Sequence, residues 1–187
     1  MLGATEIDVQ NIADWHEFFG MAAGTAAGLA GLVFVALSMH QKGIRTYPPY
    51  RYRARSSLAS LMMIFVLSSL VLFPGQTREW LGLQEMVVLG AEGAFLIWSF
   101  LRARAAVSNL PLGLTLLRPY LIRTILAVGL CLFGMVGGAL MWAGLAAGFY
   151  ILAACSIATI VWVVINTWAL VLGITEEDAS SGSSGAK

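Results

Sequence analysis

Hydrophobic residues in this chain form five long runs, and polar residues are concentrated in the shorter segments between them. The runs cover residues 18–39, 57–73, 81–101, 120–142 and 146–173. An α-helix rises about 1.5 Å per residue, so about 20 apolar residues cross a hydrocarbon core about 30 Å thick. The pattern predicts an all-α integral membrane protein in which residues 1–174 form a single bundle of five transmembrane helices.

The segments between the runs contain the residues that end helices. All five prolines, at positions 48, 49, 74, 111 and 119, lie outside the runs, and proline disrupts a helix interior. The apolar stretch 109–117 is too short to span a bilayer, which predicts an interfacial or a re-entrant segment. Residues 175–187 are acidic at first and then rich in Ser and Gly, which predicts a flexible cytoplasmic tail.

Composition agrees with this architecture. Of the 187 residues, 59% are hydrophobic and 11% are charged, as in multi-pass membrane proteins and unlike soluble domains. No stretch outside the runs is long enough for a sizeable soluble domain. We expect the lipid bilayer as the environment of the chain, and we expect no nucleic-acid partner.

Charge is distributed unevenly between the two sides of the predicted bundle. Basic residues are concentrated before the second run and after the third: Lys42, Arg45, Arg51, Arg53, Arg55, Arg102, Arg104 and Arg118. The segments on the other side are acidic and contain one basic residue, Arg78. Positively charged loops stay in the cytoplasm, so we expect the N-terminus outside, the C-terminus in the cytoplasm, and the bundle in the cell's inner (plasma) membrane. Trp15, Trp80 and Trp142 lie at predicted outer ends, where indole favours the headgroup zone.

Three arginines before the second run alternate with tyrosines. Arg51, Arg53 and Arg55 could bind anionic lipid headgroups, to which each cationic side chain contributes about 1 kcal/mol near a charged leaflet. The alternative is that they act only as the positive charge that keeps this loop in the cytoplasm.

The first run contains a file of glycines. Gly20, Gly24 and Gly28 are four residues apart, and Gly31 follows them. Each glycine destabilises a helix interior by about 1 kcal/mol relative to alanine, and small-residue faces let transmembrane helices approach closely. We therefore expect another helix against this face. It belongs either to the same five-helix bundle or to another subunit of a homo-oligomer.

The third run has a carboxyl group at its middle. Placing Glu92 there costs about 3 kcal/mol or more, so such a residue usually marks a functional site. Glu85, Glu92 and Ser99 are spaced by seven, which puts them on one side of a helix, and Arg102 follows one turn later. We expect a polar stripe with Glu85 at its outer end. The alternative is that Glu92 is protonated and only hydrogen-bonds neighbouring helices together.

Depth in the membrane selects possible neighbours for Glu92. Counting residues from the helix ends puts Thr25 and Thr159 near its depth and Asn166 and Arg123 in the inner half. Arg123 lies nearest the cytoplasmic end, which makes it a poor ion-pair partner. We expect threonine hydroxyls to contact Glu92, and Thr25, Thr159 and Asn166 to line a polar path.

The residues of common enzymatic chemistry do not occur in suitable arrangements. His16 and His40 lie near opposite ends of the first run, and the sequence contains no HExxH, CxxC or nucleotide-binding motif. Cys131 and Cys155 lie inside apolar runs, where packing is their expected role. We expect no metal and no cofactor, and an enzyme is not favoured.

These patterns lead to two hypotheses for function. The first is a homo-oligomeric cation or proton channel or transport unit with Glu92 as the central site. The second is a non-catalytic accessory or scaffold subunit whose partners are other membrane proteins.

Overall fold

The fold is taken from a computed structural model of the chain. Its backbone is described for residue 12 and for residues 14–39, 48–107 and 113–184. Side chains are described for residues 12, 14–39, 52, 54–105 and 120–169. Five long α-helices lie in this part of the chain, and we label them α1 to α5. Their bounds are His16–Met39, Pro48–Val71, Arg78–Val107, Gly113–Trp142 and Ala147–Ser184.

Each helix contains a segment that is long and apolar enough to cross a membrane. The segments are His16–Met39, Ala54–Val71, Arg78–Ala105, Tyr120–Trp142 and Ala147–Ala169. This confirms the predicted all-helical, multi-pass architecture with five spans. The third segment is longer than its hydrophobic run at both ends, because a formed helix extends into polar flanking residues at little cost.

The helices pack in a ring that follows chain order, with one contact across the middle. Each of α1 to α4 contacts the next helix, α5 returns to α1, and α2 also contacts α5. α2 is therefore packed on three sides, and its residues Leu61, Ile64 and Val71 are fully buried. Large apolar residues such as Leu32 and Ile125 are exposed on the outside of the ring, which fits a surface in contact with lipid.

Glycines allow α3, α4 and α5 to approach closely. A Cβ atom added to Gly82 on α3 would lie 2.5 Å from the Gly138 carbonyl oxygen and 2.6 Å from the Trp142 backbone nitrogen. Between α4 and α5, a Cβ atom on Gly137 would lie 3.1 Å from the Gly148 carbonyl oxygen. Backbone meets backbone at both places, so these two helix pairs depend on the missing side chains.

Arg78 has a structural role at the start of α3. It is 8% exposed, and its Nη1 donates a 2.6 Å hydrogen bond to the Gly144 carbonyl oxygen. Gly144 has a positive φ of 81° and lies just after α4, where carbonyl groups lack helical partners and cations are favourable. This bond explains a basic residue among the acidic segments of the predicted outer side.

Aromatic rings join the start of α1 to the start of α5. Trp15 stacks on Phe149 with ring centroids 5.7 Å apart, and Tyr150 meets Trp15 edge-on at 4.8 Å. Trp80 and Trp142 are 63% and 60% exposed, as expected for tryptophans at a membrane interface. Trp15 is partly buried, so it packs inside the bundle rather than only in the headgroup zone.

Two helices extend beyond the limits that the sequence predicts. α4 begins at Gly113, so the described part of segment 109–117 belongs to that helix, and Pro119 lies within it. α5 continues to Ser184, into the predicted flexible tail. Extending an existing helix adds one hydrogen bond per residue without a new nucleation step, which accounts for the extension of α5. α4 continues through Pro119 even though proline lacks a backbone donor, so nothing in the structure explains that extension.

Candidate functional site

The polar stripe of α3 lies inside the bundle. Glu85, Glu92 and Ser99 are 1%, 8% and 1% exposed, and their spacing by seven keeps them on one face of the helix. α3 packs against α2 and α4, so these neighbours shield the stripe from lipid. The stripe that the sequence predicts is thus an interior feature.

Glu92 is hydrogen-bonded to α2. The Ser60 hydroxyl donates to Glu92 Oε1 over 2.8 Å, and both residues are buried. A hydrogen bond that a carboxylate accepts is stronger than one between neutral groups. The bond connects the middle of the α3 span to a position about a third of the way along the α2 span.

Glu92 also borders a groove on the membrane-facing surface between α2 and α3. The groove has a volume of about 270 Å³. Its other lining residues are apolar: Ala59, Met62, Met63, Val66, Val88 and Ala91. The carboxyl group of Glu92 therefore lies between this surface and the interior of the bundle.

A polar cavity of about 40 Å³ lies on the interior side of the same hydrogen bond. It lies between α2, α3, α4 and α5 and is partly open. Its lining residues are Ser56, Ser57, Ser60, Leu96, Tyr120, Arg123, Thr124, Ala127, Trp162, Val163 and Asn166. A cavity needs at least about 10–15 Å³ of such volume to hold one water molecule, so this cavity has room for at least one. Ser60 both lines the cavity and donates to Glu92, which connects the cavity to the stripe.

Tyr120 connects the cavity to the inner end of the stripe. Its hydroxyl lies 3.4 Å from Ser99 Oγ, and Thr124 Oγ1 donates to the Tyr120 carbonyl oxygen over 3.0 Å. Asn166 also lines the cavity, and its Nδ2 donates to the Trp162 carbonyl oxygen over 2.8 Å. One polar region thus extends from Glu92 to Ser99.

Arg123 is the charged residue of the cavity. It is half-buried on α4, and no carboxyl group is present among the described lining residues. Within the described part of the chain, Arg123 forms no ion pair with Glu92 or with any other acid. The described lining therefore carries a net positive charge.

Glu85 is more deeply buried than Glu92 and lacks its hydrogen bond. Neither carboxyl oxygen of Glu85 has a hydrogen-bond partner among the described residues. Leu89, which is fully buried, lies between the two glutamates on the same face of α3. Seven residues of helix separate the glutamates by about 10 Å, so in this conformation an apolar layer lies between them.

The predicted threonine partners of Glu92 are not its partners in the structure. Thr25 is exposed on the outside of α1, because Phe19, Ala22 and Ala26 take the inner face of that helix. The Thr159 hydroxyl is buried but donates to the Cys155 carbonyl oxygen of its own helix over 2.8 Å. Depth counting places residues at a level in the membrane, whereas contact also depends on the face of the helix.

The glycine file of α1 lies on an open face. A Cβ atom added to Gly20, Gly24, Gly28 or Gly31 would meet no atom of the described residues within 4 Å. The inner face of α1 is formed by other residues, among them Phe19 and Ala26. If this face packs within the five-helix bundle, another helix of the same chain must lie against it. The described residues do not supply that neighbour.

The arginines proposed to bind lipid are only partly described. The side chains of Arg51 and Arg53 lie outside the described residues, and Arg55 is exposed at the start of the second span. Arg102, at the end of the predicted stripe, is exposed and lies over the Trp98 ring at 5.4 Å. It therefore stays on the outer surface of α3 rather than in the cavity.

Ser57, Ser60 and Tyr120 form part of the site but are not among the residues that the sequence selects. A signal for the two serines was present: they are three residues apart, on one face of a helix that must pair with the next one. The register of two antiparallel helices decides which residues meet, and a single sequence gives no measure of that register.

Among the described residues, no three His, Cys, Asp or Glu side chains are grouped closely enough to hold a metal ion. Comparisons with protein-family models, with curated proteins and with solved structures gave no match.

Proposed function

We propose that the protein is a proton-conducting transport unit of a cell's inner membrane, in which Glu92 accepts and releases the transported proton. Glu92 borders the membrane-facing groove, and Ser60, which donates a hydrogen bond to Glu92, lines the polar cavity. Ionisable residues inside a membrane usually mark such proton or ion pathways.

The observation that carries this proposal is the burial of Glu85 without a partner. A purely structural explanation is available for Glu92, because its hydrogen bond with Ser60 joins two helices. Glu85 makes no hydrogen bond within the described residues, so the same explanation does not apply to it. Burying an unsatisfied polar group destabilises the fold by about 1–3 kcal/mol or more. A role in proton exchange would explain why this buried carboxyl group lies on the same face of α3 as Glu92.

A proton fits this site better than a metal cation. Metal cations such as Ca²⁺ and Mg²⁺ need several oxygen ligands, whereas the described cavity has hydroxyl groups, one amide and the positive charge of Arg123. A proton can instead pass between Glu92, hydroxyl groups and a water molecule in the cavity.

The apolar layer between Glu85 and Glu92 favours a gated path over an open pore. Leu89 is fully buried at the position between the two glutamates and makes this part of the stripe apolar, so proton transfer between them requires water entry or a helix movement. In this proposal the cavity faces the cytoplasm and Glu85 lies toward the outside, because positively charged loops such as those of this chain stay in the cytoplasm. Glu92 then exchanges protons with the cytoplasm in the conformation described.

Reconstituted protein tests this proposal directly. We expect proteoliposomes that contain a pH-sensitive dye to acidify when a potassium diffusion potential, negative inside, is imposed with valinomycin. The flux should persist when sodium is absent from both sides, because the transported ion is a proton. Acidification no faster than in protein-free liposomes would refute the proposal and favour the accessory-subunit hypothesis. Copurification of partner proteins from native membranes would then test that hypothesis.

We further propose that the subunit forms a homo-oligomer through the glycine face of α1. Each of the four glycines makes the helix less stable than alanine would, and none of them contacts another described helix at its Cβ position. A contact outside the described chain would compensate for this loss. A second copy of α1 fits, because two glycine faces allow van der Waals contact between backbones over several turns. The neighbouring surface is apolar, with Leu32 and Phe34 exposed, as a contact inside the bilayer requires.

Substitution of Gly28 with leucine should dissociate this oligomer without unfolding the subunit. The new side chain meets no described atom of its own chain at Cβ, but it separates two α1 helices. We expect association to weaken about tenfold or more, equivalent to about 1.4 kcal/mol, as measured by single-molecule photobleaching in bilayers at several protein-to-lipid ratios. Gly129→Leu on α4, also exposed with an open Cβ position, is the matched control and should associate normally. Equal association of both variants and the native protein would exclude this interface.

A further inference from the structure

We propose that the cavity lined by Arg123 and Ser57 binds a small inorganic anion such as chloride, and that a proton on Glu92 strengthens this binding through Ser60. The anion site goes beyond proton transport and does not require it. The link to Glu92 requires only that this carboxyl group can be protonated.

The charge of the cavity favours an anion. Arg123 has no ion-pair partner within the described residues, and the described lining contributes no carboxyl group. A half-buried guanidinium group without a counter-ion is unfavourable in a low-dielectric environment, and a bound anion removes that cost. The described hydrogen bonds also leave the Ser57 hydroxyl available, on the same lining and 7% exposed.

The volume of the cavity is compatible with a small anion. About 40 Å³ exceeds the about 10–15 Å³ of cavity volume that one water molecule requires. A halide ion is only slightly larger than a water molecule, so it fits this space. Hydroxyl and guanidinium groups donate hydrogen bonds to such an ion from several directions without the planar geometry that a carboxylate prefers.

Ser60 gives the cavity a connection to the protonation state of Glu92. A serine hydroxyl has one hydrogen to donate and two lone pairs to accept. When Glu92 is ionised, that hydrogen is used in the 2.8 Å bond to Oε1. When Glu92 is protonated, the carboxyl group can donate to Ser60, and the serine hydrogen is then free to turn toward an anion in the cavity. Protonation also removes a negative charge that repels the anion.

Other titratable or charged groups lie on the helices around Glu92, and a test of pH dependence must distinguish their effects from that of Glu92. They are Glu85 on α3, Cys131, Tyr120 and Arg123 on α4, Cys155 on α5, and the exposed Arg55 at the inner end of α2. Cys131 is the nearest of the thiols by position, because its Cβ lies 3.8 Å from a Cβ added to Gly93, the residue after Glu92. Cys131→Ala is therefore the relevant control for pH dependence.

Equilibrium binding of radiolabelled chloride to purified protein tests the site. We expect saturable binding by the native protein in lipid-free detergent with gluconate as the other anion, and a loss of affinity of about tenfold or more in Arg123→Gln. Arg102→Gln, which removes an exposed arginine outside the cavity, should bind like the native protein. Ser57→Ala, a smaller change, should weaken binding severalfold and provides a second variant if Arg123→Gln does not fold.

Three results would overturn the anion site. They are absence of saturable chloride binding by the native protein, unchanged binding by both Arg123→Gln and Ser57→Ala, and equal weakening by Arg102→Gln. A fourth result would also overturn it and would show that Arg123 binds a lipid headgroup instead. In that case chloride would not bind, and anionic lipid added to neutral nanodiscs would bind in an Arg123-dependent manner.

The link to Glu92 has its own readout in the same assay. Native protein should bind chloride more tightly in acidic than in alkaline buffer, because the protonated carboxyl group releases Ser60. Glu92→Gln, whose amide can also donate to Ser60, should bind tightly in both buffers, whereas Cys131→Ala should keep the native pH dependence. A pH dependence that persists in Glu92→Gln would refute the link. A failed proton-flux experiment would leave all of these binding results unaffected.

Discussion

In proteoliposomes, we expect Glu92→Gln to reduce potential-driven proton flux by about a hundredfold or more, to the level of protein-free vesicles. Removing a group that carries a proton in the rate-limiting transfer typically costs at least this factor. Glutamine has nearly the shape of glutamate and can still hydrogen-bond with Ser60, so the variant removes proton exchange while it retains the contact between α2 and α3.

The control for this experiment is a second glutamate of the same helix. Glu79 is exposed in the first turn of α3, so Glu79→Gln makes the same chemical change outside the buried stripe. It should leave flux within about twofold of the native value, since surface substitutions of this kind have small effects. If Glu92→Gln conducts protons like Glu79→Gln, Glu92 is not the proton site.

The hydrogen-bonding explanation of Glu92 makes a different prediction for the same pair of variants. If Glu92 only joined α2 to α3, its substitution would lower thermal stability in detergent and leave the flux per folded molecule unchanged. Measuring flux and melting temperature on the same preparations therefore separates a proton site from a purely structural hydrogen bond.

The five spans could be predicted from the sequence because a bilayer imposes one length on every helix. Hydrophobic runs and proline positions gave these spans, since each spanning segment must satisfy its own backbone hydrogen bonds. The ends of α4 and α5 were less predictable. At those ends, continuation of a helix depends on the stability of the part already formed, which composition alone does not give.

The candidate site could be predicted only along α3. The spacing by seven of Glu85, Glu92 and Ser99 is a property of one helix, and the structure buries all three on one face. Contacts between helices were not accessible in the same way. Thr25 has the right depth and the wrong face, whereas Ser60 meets Glu92 because α2 and α3 have a particular register.

The glycines show the same division between local and non-local information. A file such as Gly20, Gly24 and Gly28 is conspicuous in sequence, yet its neighbours are absent from the described chain. Gly82 has no glycine four residues away in either direction, and it makes one of the closest helix contacts in the bundle. Whether a glycine is needed for packing depends on the atoms opposite to it, and these belong to another helix.

Substitution of Gly82 with alanine should therefore destabilise the bundle by about 1–3 kcal/mol, as overpacked interiors generally are. The added Cβ would lie 2.5 Å from the Gly138 carbonyl oxygen and 2.6 Å from the Trp142 nitrogen. Both are backbone atoms, so α3 and α4 must separate to relieve the clash. This cost exceeds the gain of about 1 kcal/mol that alanine brings to a helix interior. Leucine at the same position should prevent the native packing of these helices.

Gly90→Ala on the same helix provides the matched comparison. Its added Cβ meets no described atom within 4 Å, so the variant should be neutral or more stable by up to about 1 kcal/mol. Unfolding in mixed detergent micelles, followed by circular dichroism, measures both free energies on one scale. Equal stability of the two variants would mean that α3 and α4 do not approach at Gly82. A loss confined to Gly82→Ala would place a close contact between α3 and α4 one turn from Glu85, so that any separation of these helices moves a carboxyl group of the stripe.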